Sequence, residues 1–435
     1  MTSTPTGPGT AAAAAHPTHP QKVEKPTLTG TRIKQRKGVV KSQAKFEPEA
    51  FRDALYKYFD GVSAADDWDG FASALDKAGN TLDYRKYSDQ LFEILIAGGL
   101  LAPGGSPLDD APNSVFSVFA AKTATLEHVK PVVTTIDKVI RRYKFLQKPL
   151  EESTMRYLLQ YITRFEPEQR EKLAIATGLF IQQSLVAANV LTVLQKDALA
   201  KDDLAITFFD QVCKTYLAEG NMDALGSALR KGGIKDALPF FPQTKRAQAN
   251  LVSSHFSGVG LAPVGEYFQK RAAKDLRDSI VQRLREMRGS VSDTPEESDE
   301  AAREEIIDFL KESRTKMAVA PEDFVTVAWD GLMKDQPVER AAKLAKAYAP
   351  ILEPFAQTPK AQIALINQIQ LQLYAEAAVA NFVPFLKVLY SADVVSDSAI
   401  IFWHQKGHKP QGKSEFLAAA APLVKFLEEQ SDDEE

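Results

Sequence analysis

LDYRKYSDQLFEILIAGGLLAPGG, residues 82–105, is an amphipathic run that stops on Gly98 and Gly99 and again on Pro103, Gly104 and Gly105. Apolar residues spaced for one helical face and closed by Gly and Pro predict a helix and its end. The same texture extends both ways. Upstream, EPEAFRDALYKYFDG (47–61) places Phe51, Leu55, Tyr58 and Phe59 at i, i+4, i+7 and i+8. Downstream, DKVIRRYKFLQK (137–148), EQREKLAIATGLFIQQSLV (168–186), DDLAITFFDQVCKTYLAEG (202–220) and NMDALGSALRKGG (221–233) repeat it, each closed by Gly, Pro or a polar cluster. The C-terminal half continues with VGEYFQKRAAKDLRDSIVQRLREMRG (264–289), an acidic stretch SVSDTPEESDE (290–300), and helical patterns that include TPKAQIALINQIQLQLYAEA (358–377) and KSEFLAAAAPLVKFLEEQ (413–430). Alternating runs are nearly absent; VFSVFAAKT (115–123) and AIIFW (399–403) are the nearest. Serial helix pairs with short connections predict an all-α solenoid of HEAT type, with a single mixed helical bundle as the alternative.

The chain has 435 residues, long enough for two or three domains, and a composition ordinary for a globular protein. Its formal net charge of −4 excludes a general polyanion binder. One cysteine, Cys213, cannot make an internal disulfide or a four-cysteine zinc site, which points to a reducing compartment. Its aromatic neighbours make it a core residue. No signal peptide and no membrane span are read from the sequence, so the expected location is the cytoplasm. Residues 1–45 are expected to be a disordered basic arm. Ala, Pro, Thr and Gly dominate the first twenty residues, and then Lys22, Lys25, Arg32, Lys34, Arg36, Lys37, Lys41 and Lys45 face Glu24 alone.

Two features invite chemistry. GHKPQGKS (407–414) fits the phosphate-loop pattern, but only 21 residues follow Ser414. That leaves no room for a second strand with a metal-binding carboxylate, so the stretch is expected to be a connector. His404 and His408 are four apart, yet Gly407 and Pro410 interrupt the helix that would aim them and no third ligand is near. No metal, cofactor or catalytic pair is expected. The helix at 264–289 carries Lys270, Arg271, Lys274, Arg277, Arg283, Arg285 and Arg288 between Leu276, Ile280, Leu284 and Met287. An acidic loop follows where a leucine zipper would continue, so the apolar residues are expected in a core and the basic ones on a solvated or partner-facing edge.

KPTLTGTRIKQRKG (25–38), KFEPEAFRDAL (45–55), GNTLDYRKYSDQLFEILIAGGLLAPGG (79–105) and VIRRYKFLQK (139–148) closely resemble the translation initiation factor 5 mimic proteins, also called basic leucine zipper and W2 domain-containing proteins. The likeness continues through YAPIL (348–352) and LYSADVVSDSAIIFW (389–403) and covers residues 22–435. It implies two stacked helical-repeat domains: one at 46–260 like the middle domain of initiation factor 4G, and a W2 domain with an acidic tail at 261–435. W2 domains carry two aromatic-and-acidic boxes that bind lysine-rich segments of the initiation factor 2 beta subunit. The first box falls on Leu389, Tyr390, Asp393, Asp397 and Trp403. Family members tend to carry a second acid where Ser398 stands and a lysine where Phe402 stands. The second box falls on Phe426, Glu428, Glu429, Asp432, Asp433, Glu434 and Glu435.

The resemblance thus implies a non-enzymatic regulator that competes with initiation factor 5 and alters start-codon selection. Initiation factor 5 has a GTPase-activating domain on a four-cysteine zinc ribbon, which Cys213 alone cannot build. The family also binds the c subunit of initiation factor 3, for which the basic helix 264–289 is the candidate surface. The rival reading is an RNA-binding or ribosome-associated scaffold using the basic arm and that helix. Tyr390, Trp403 and Phe426 at helical positions have a core role as their plainer reading. Self-repulsion is expected to keep the six carboxylates of the tail extended.

Overall fold

The structure is a computed structural model that describes residues 45–62, 64–291, 300–337 and 340–433. Apart from Lys45, the basic arm lies outside the described residues, as do Glu434, Glu435 and most of the acidic stretch at 290–300. Among the described residues the regular secondary structure is all helical, with one long non-helical segment at 98–125. Its nearest approach to a sheet is one isolated bridge between Leu101 and Pro107. Neither 115–123 nor 399–403 forms a strand.

The opening stretch divides. A first helix, α1 (Pro48–Phe59), precedes α2 (Trp68–Thr81), and the predicted run begins only at α3 (Ser88–Ala97). Leu91, Phe92, Ile94, Leu95 and Ile96 are all fully buried, so α3 is a core helix wrapped on every side rather than a one-face helix. It ends at Gly98, whose φ of +91° is the left-handed turn that glycine adopts without strain. The segment after it folds back over its end, with Val118 and Phe119 donating to the carbonyls of Leu95 and Ile96. There follow α4 (Leu126–Arg142), α5 (Pro167–Gln182), α6 (Leu204–Glu219), α7 (Met222–Lys231) and α8 (Leu251–Gly258), joined by shorter helical turns. Helices near in sequence pack as neighbours, α2 on α4 and both α4 and α6 on α5, as helical repeats do.

The long α9 (Ala262–Met287) belongs to two cores. Val264 and Phe268 close a first cluster that begins at Phe51; Ile280 and Leu284 open a second that runs to Leu427. Between them Ala272, Ala273, Lys274 and Asp275 are all exposed. The second cluster is built by α10 (Glu300–Met317), α11 (Pro321–Met333), α12 (Ala341–Leu352), α13 (Pro359–Ala375), α14 (Phe382–Ser391), α15 (Asp397–Phe402) and α16 (Lys413–Asp433). α9 meets α11 where Gly331 lets Leu284 approach: a Cβ at Gly331 would lie 2.5 Å from Leu284 Cδ1.

Candidate functional site

The site is organised by α13, whose sequence PKAQIALINQIQLQLYA has no clean apolar stripe. Neighbours surround it, and its amides do specific work. Gln362 Oε1 accepts from Ser396 N at 3.1 Å and from Ser396 Oγ at 2.8 Å. That fixes the residue whose hydroxyl caps α15 through Ala399 N. Asn367 Nδ2 donates to Gly407 O at 2.9 Å. Gln370 is fully buried and uses both ends of its amide: Nε2 donates to Lys409 O and Gln411 O, while Oε1 accepts from Trp403 Nε1 at 3.2 Å and Lys409 N at 3.1 Å. Gln368 Nε2 donates to Asp330, and Gln372 Oε1 accepts from Trp329 Nε1 at 2.7 Å.

Residues 407–412 are therefore a strap tied along α13 by its own carbonyls. The described residues before it are helical, so the phosphate-loop pattern marks a connector. His404 Nε2 donates to Leu417 O and His408 Nδ1 to Trp403 O, so both rings are turned to backbone carbonyls and not to a shared metal. Among the described residues no group of three or more metal-ligating side chains gathers.

The first box is divided by burial. Leu389 and Trp403 are fully buried, and Trp403 packs on Phe382 at 4.9 Å between ring centroids. This corrects the expectation that Trp403 touches a partner: an indole with no accessible surface and a satisfied N–H supports the site from below. Tyr390 is half-buried against the second core. Asp393 is exposed at φ +56°, in the left-handed region that Asp tolerates. Asp397 opens α15, where its carboxylate accepts from Ser398 N at 2.6 Å. Neither acid pairs with a lysine or arginine among the described residues.

The second box adjoins the first. α16 packs on α14 and α15, and Gln405 Nε2 lies 3.5 Å from Glu428 Oε1. Phe426 is 52% exposed, the largest apolar surface on this helix. Glu428 and Glu429 are exposed, and Glu429 lies 3.9 Å from Lys425. The acidic end departs from expectation: α16 continues through Asp433, so Glu428, Glu429, Asp432 and Asp433 ride on a helix instead of an extended tail. The packing of Leu423, Val424 and Leu427 into the second core carries the helix this far.

The basic helix also differs from its expected role. Arg277 Nη2 donates to Asp330 at 2.6 Å, and Arg285 lies 2.7 Å from Asp335. Lys270, Arg271 and Arg283 pair along their own helix with Glu266, Asp275 and Glu286. Arg288 donates to the carbonyls of Gly331, Leu332 and Lys334, and burial pushes its pKa down. Of the seven cations only Lys274 has no partner among the described residues. The charge that reads as a partner-facing edge mostly ties α9 to itself and to the α11 region.

The family model described as 5MP1/2 HEAT domain matches residues 33–278, and the W2 model, described as eIF4-gamma/eIF5/eIF2-epsilon, matches residues 361–435. The chain belongs to the eIF5-mimic protein family. It is similar to eIF5-mimic protein 2-B of Danio rerio, 31% identical over 428 residues, 95% of this chain and 99% of the relative. It is similar also to eIF5-mimic protein 1 of Homo sapiens, 30% identical over 426 residues, covering 95% and 98%. Protein krasavietz of Drosophila melanogaster is 32% identical over 430 residues, covering 95% and 98%. No solved structure matches. HEAT-type and W2 regions in an eIF5-mimic family member make this chain a regulator of translation initiation. The W2 match takes in the amide ladder of α13, the strap and both boxes. That ladder, and the tie between Gln405 and Glu428, went unread in the sequence. Their one signal is the density of amides in NQIQLQ (367–372) within an otherwise apolar helix.

Proposed function

We propose that this eIF5-mimic family member binds lysine-rich segments of the initiation factor 2 beta subunit through the surface that joins the two acidic boxes. In doing so it competes with initiation factor 5 and modulates start-codon selection, without catalysing a reaction. The observation that carries this reading is the placement of Asp393, Asp397, Glu428 and Glu429 on adjacent elements, the first two with no cationic partner among the described residues. Exposed ion pairs are worth ~0–1 kcal/mol each and are screened by salt. Affinity then needs the folded surface beside them, where Tyr390 and Phe426 offer apolar area for lysine stems. The c subunit of initiation factor 3 is the second partner in this reading, with Lys274 as the unengaged cation of α9. The RNA-binding alternative is weakened, because most of the cations it would use on α9 are held within the chain.

The test is binding of a lysine-rich peptide of the beta subunit to the protein with Glu428, Glu429, Asp432 and Asp433 changed to the matching amides. Cutting the chain after Phe426 would be a poorer test, since it also removes buried Leu427. At low salt the amide variant should bind about tenfold more weakly, from roughly 1–2 kcal/mol of lost pairing. Unchanged affinity would remove the acidic surface from the account.

A further inference from the structure

The hydroxyls at the start of α15 have one consistent arrangement of hydrogens. Ser396 N lies 3.1 Å from Gln362 Oε1, and a backbone N–H can only donate, so the oxygen end of the Gln362 amide faces Ser396. Ser396 Oγ lies 2.8 Å from the same oxygen, which has no hydrogen to give, so the Ser396 hydroxyl donates there. Its one hydrogen is then spent. Its lone pairs are left for Ala399 N at 3.3 Å and Ser398 Oγ at 3.0 Å. In the second of these contacts Ser398 must be the donor. The Ser398 hydroxyl thus directs its hydrogen inward along this chain of bonds. Ser398 is exposed, so what it offers outward is lone pairs, an acceptor without a donor. It adjoins the carboxylate of the first box, because Asp397 Oδ1 accepts from Ser398 N at 2.6 Å.

A carboxylate attracts any cation, whereas a neutral acceptor adds affinity only for a cation that can donate. We propose that Ser398 is a specificity-determining residue of this surface: its hydroxyl accepts a hydrogen bond from a lysine ammonium drawn to Asp397, so the first box reads the N–H donors of lysine as well as its charge. The inference rests on the proposed function and adds to it a preference for unmodified over methylated lysine. A lysine ammonium has three donors and can meet the carboxylate and the hydroxyl together, while trimethyllysine keeps the charge and has none. Gln362 is the positioning residue. It touches no partner, but its amide sets the direction of the Ser396 hydroxyl and, through it, that of Ser398.

Two heptapeptides, one all lysine and one all trimethyllysine, test this by titration calorimetry on the full chain. Ser398→Ala should weaken the lysine peptide about threefold and leave the trimethyllysine peptide unchanged. The lost contact is neutral, so that factor should persist as salt is raised while both affinities fall. Ser398→Thr, which keeps a hydroxyl, should match the parent. Gln362→Leu should reduce the advantage of the lysine peptide in the parent and reduce it no further in the Ser398→Ala background. A disturbance of α15 that displaced Asp397 would instead weaken both peptides alike, since charge serves both. Equal weakening of the two peptides by Ser398→Ala overturns the inference, as does no weakening of either, or a threonine variant as weak as the alanine one. Those results leave the proposed function standing. That reading fails separately if neither peptide binds the parent, or if the lysine peptide binds equally well to the four-amide variant.

Discussion

Replacing Gln370 by leucine asks whether the amide ladder of α13 holds the site together. The change keeps side-chain bulk and removes a group that four others share. Trp403 Nε1 loses its acceptor at 3.2 Å, and because the indole is fully buried no water replaces it. A buried donor left unsatisfied costs about 1–3 kcal/mol. The carbonyls of Lys409 and Gln411 lose donors at 2.9 and 2.7 Å, but both residues are exposed and water can take over. Each then costs no more than a net bond, about 0.5–1.5 kcal/mol. With the donor at Lys409 N treated like those carbonyls, the sum is about 2.5–7.5 kcal/mol, a large share of the stability of an ordinary domain. Urea unfolding followed by tryptophan fluorescence reads it, fitted to the transition of the second core, which contains Trp329 and Trp403. The two cores need not unfold together, so a single global fit is unsuitable. A double-mutant cycle isolates the bond itself. Trp403→Phe should cost about 1 kcal/mol less in the Gln370→Leu protein than in the parent, since the orphaned N–H goes with it. A Gln370→Leu protein within about 0.5 kcal/mol of the parent, or a cycle with no coupling, refutes the reasoning.

Glu93 supplies a pH prediction. Burial raises its pKa from 4.5 to about 7, with Asp89 adding to the rise and the hydrogen bond from Leu101 N opposing it. The folded form therefore holds a proton that the unfolded chain releases near the ordinary carboxylate value. Stability from this group is complete below that value and is lost as pH rises through about 7. The span is worth about 3 kcal/mol, so Glu93→Gln should flatten the decline between pH 5 and 8 in thermal melts, roughly by that amount. An unchanged pH profile removes Glu93 as its cause. Gly331→Ala should destabilise the meeting of α9 and α11 by about 1–3 kcal/mol, since its Cβ would fall 2.5 Å from Leu284 Cδ1 and 2.7 Å from Leu284 Cβ. A double-mutant cycle with Leu284→Gly, which removes Cβ along with Cδ1, should show favourable coupling if overpacking is the cause and none otherwise.

Helix positions were legible because spacing and stop residues are local. Phe51, Leu55 and Phe59 are buried as their stripe requires, and Gly98 ends α3 where the sequence stops. What spacing did not convey was which faces are covered. α3 reads as amphipathic and is buried all round; the cations of α9 read as a free edge and are mostly paired. Both outcomes depend on residues far along the chain, such as Asp330 and Asp335, that no local window contains. At the site, aromatic residues in helical register left two roles open. Tertiary packing chose differently for each: Trp403 in the core, Phe426 on the surface. The ladder of α13 was invisible for the same reason, since Gln370 is informative only once the strap it binds is in place.

The acidic end of α16 carries an electrostatic conflict that a cationic partner would relieve. Carbonyl dipoles make a helix C-terminus partly negative, and each acid there costs about 0.3–1 kcal/mol at an exposed position. Glu428, Glu429, Asp432 and Asp433 all fall near that end, with no basic residue in the last turn. Lys425 precedes Glu429 by four residues, the less favourable order, and lies 3.9 Å from it. Leu427 anchors one side to the core. A lysine-rich segment would neutralise the acids and the carbonyl end together, so binding and helix stability must rise together. Amide exchange over residues 428–433 should therefore slow when a lysine-rich peptide saturates the protein, by about tenfold for a gain of about 1.4 kcal/mol. The slowing should shrink as salt is raised, while exchange over α14 stays constant. Saturation without added protection at 428–433 would mean that the peptide sits elsewhere and that this helix end is not its receptor.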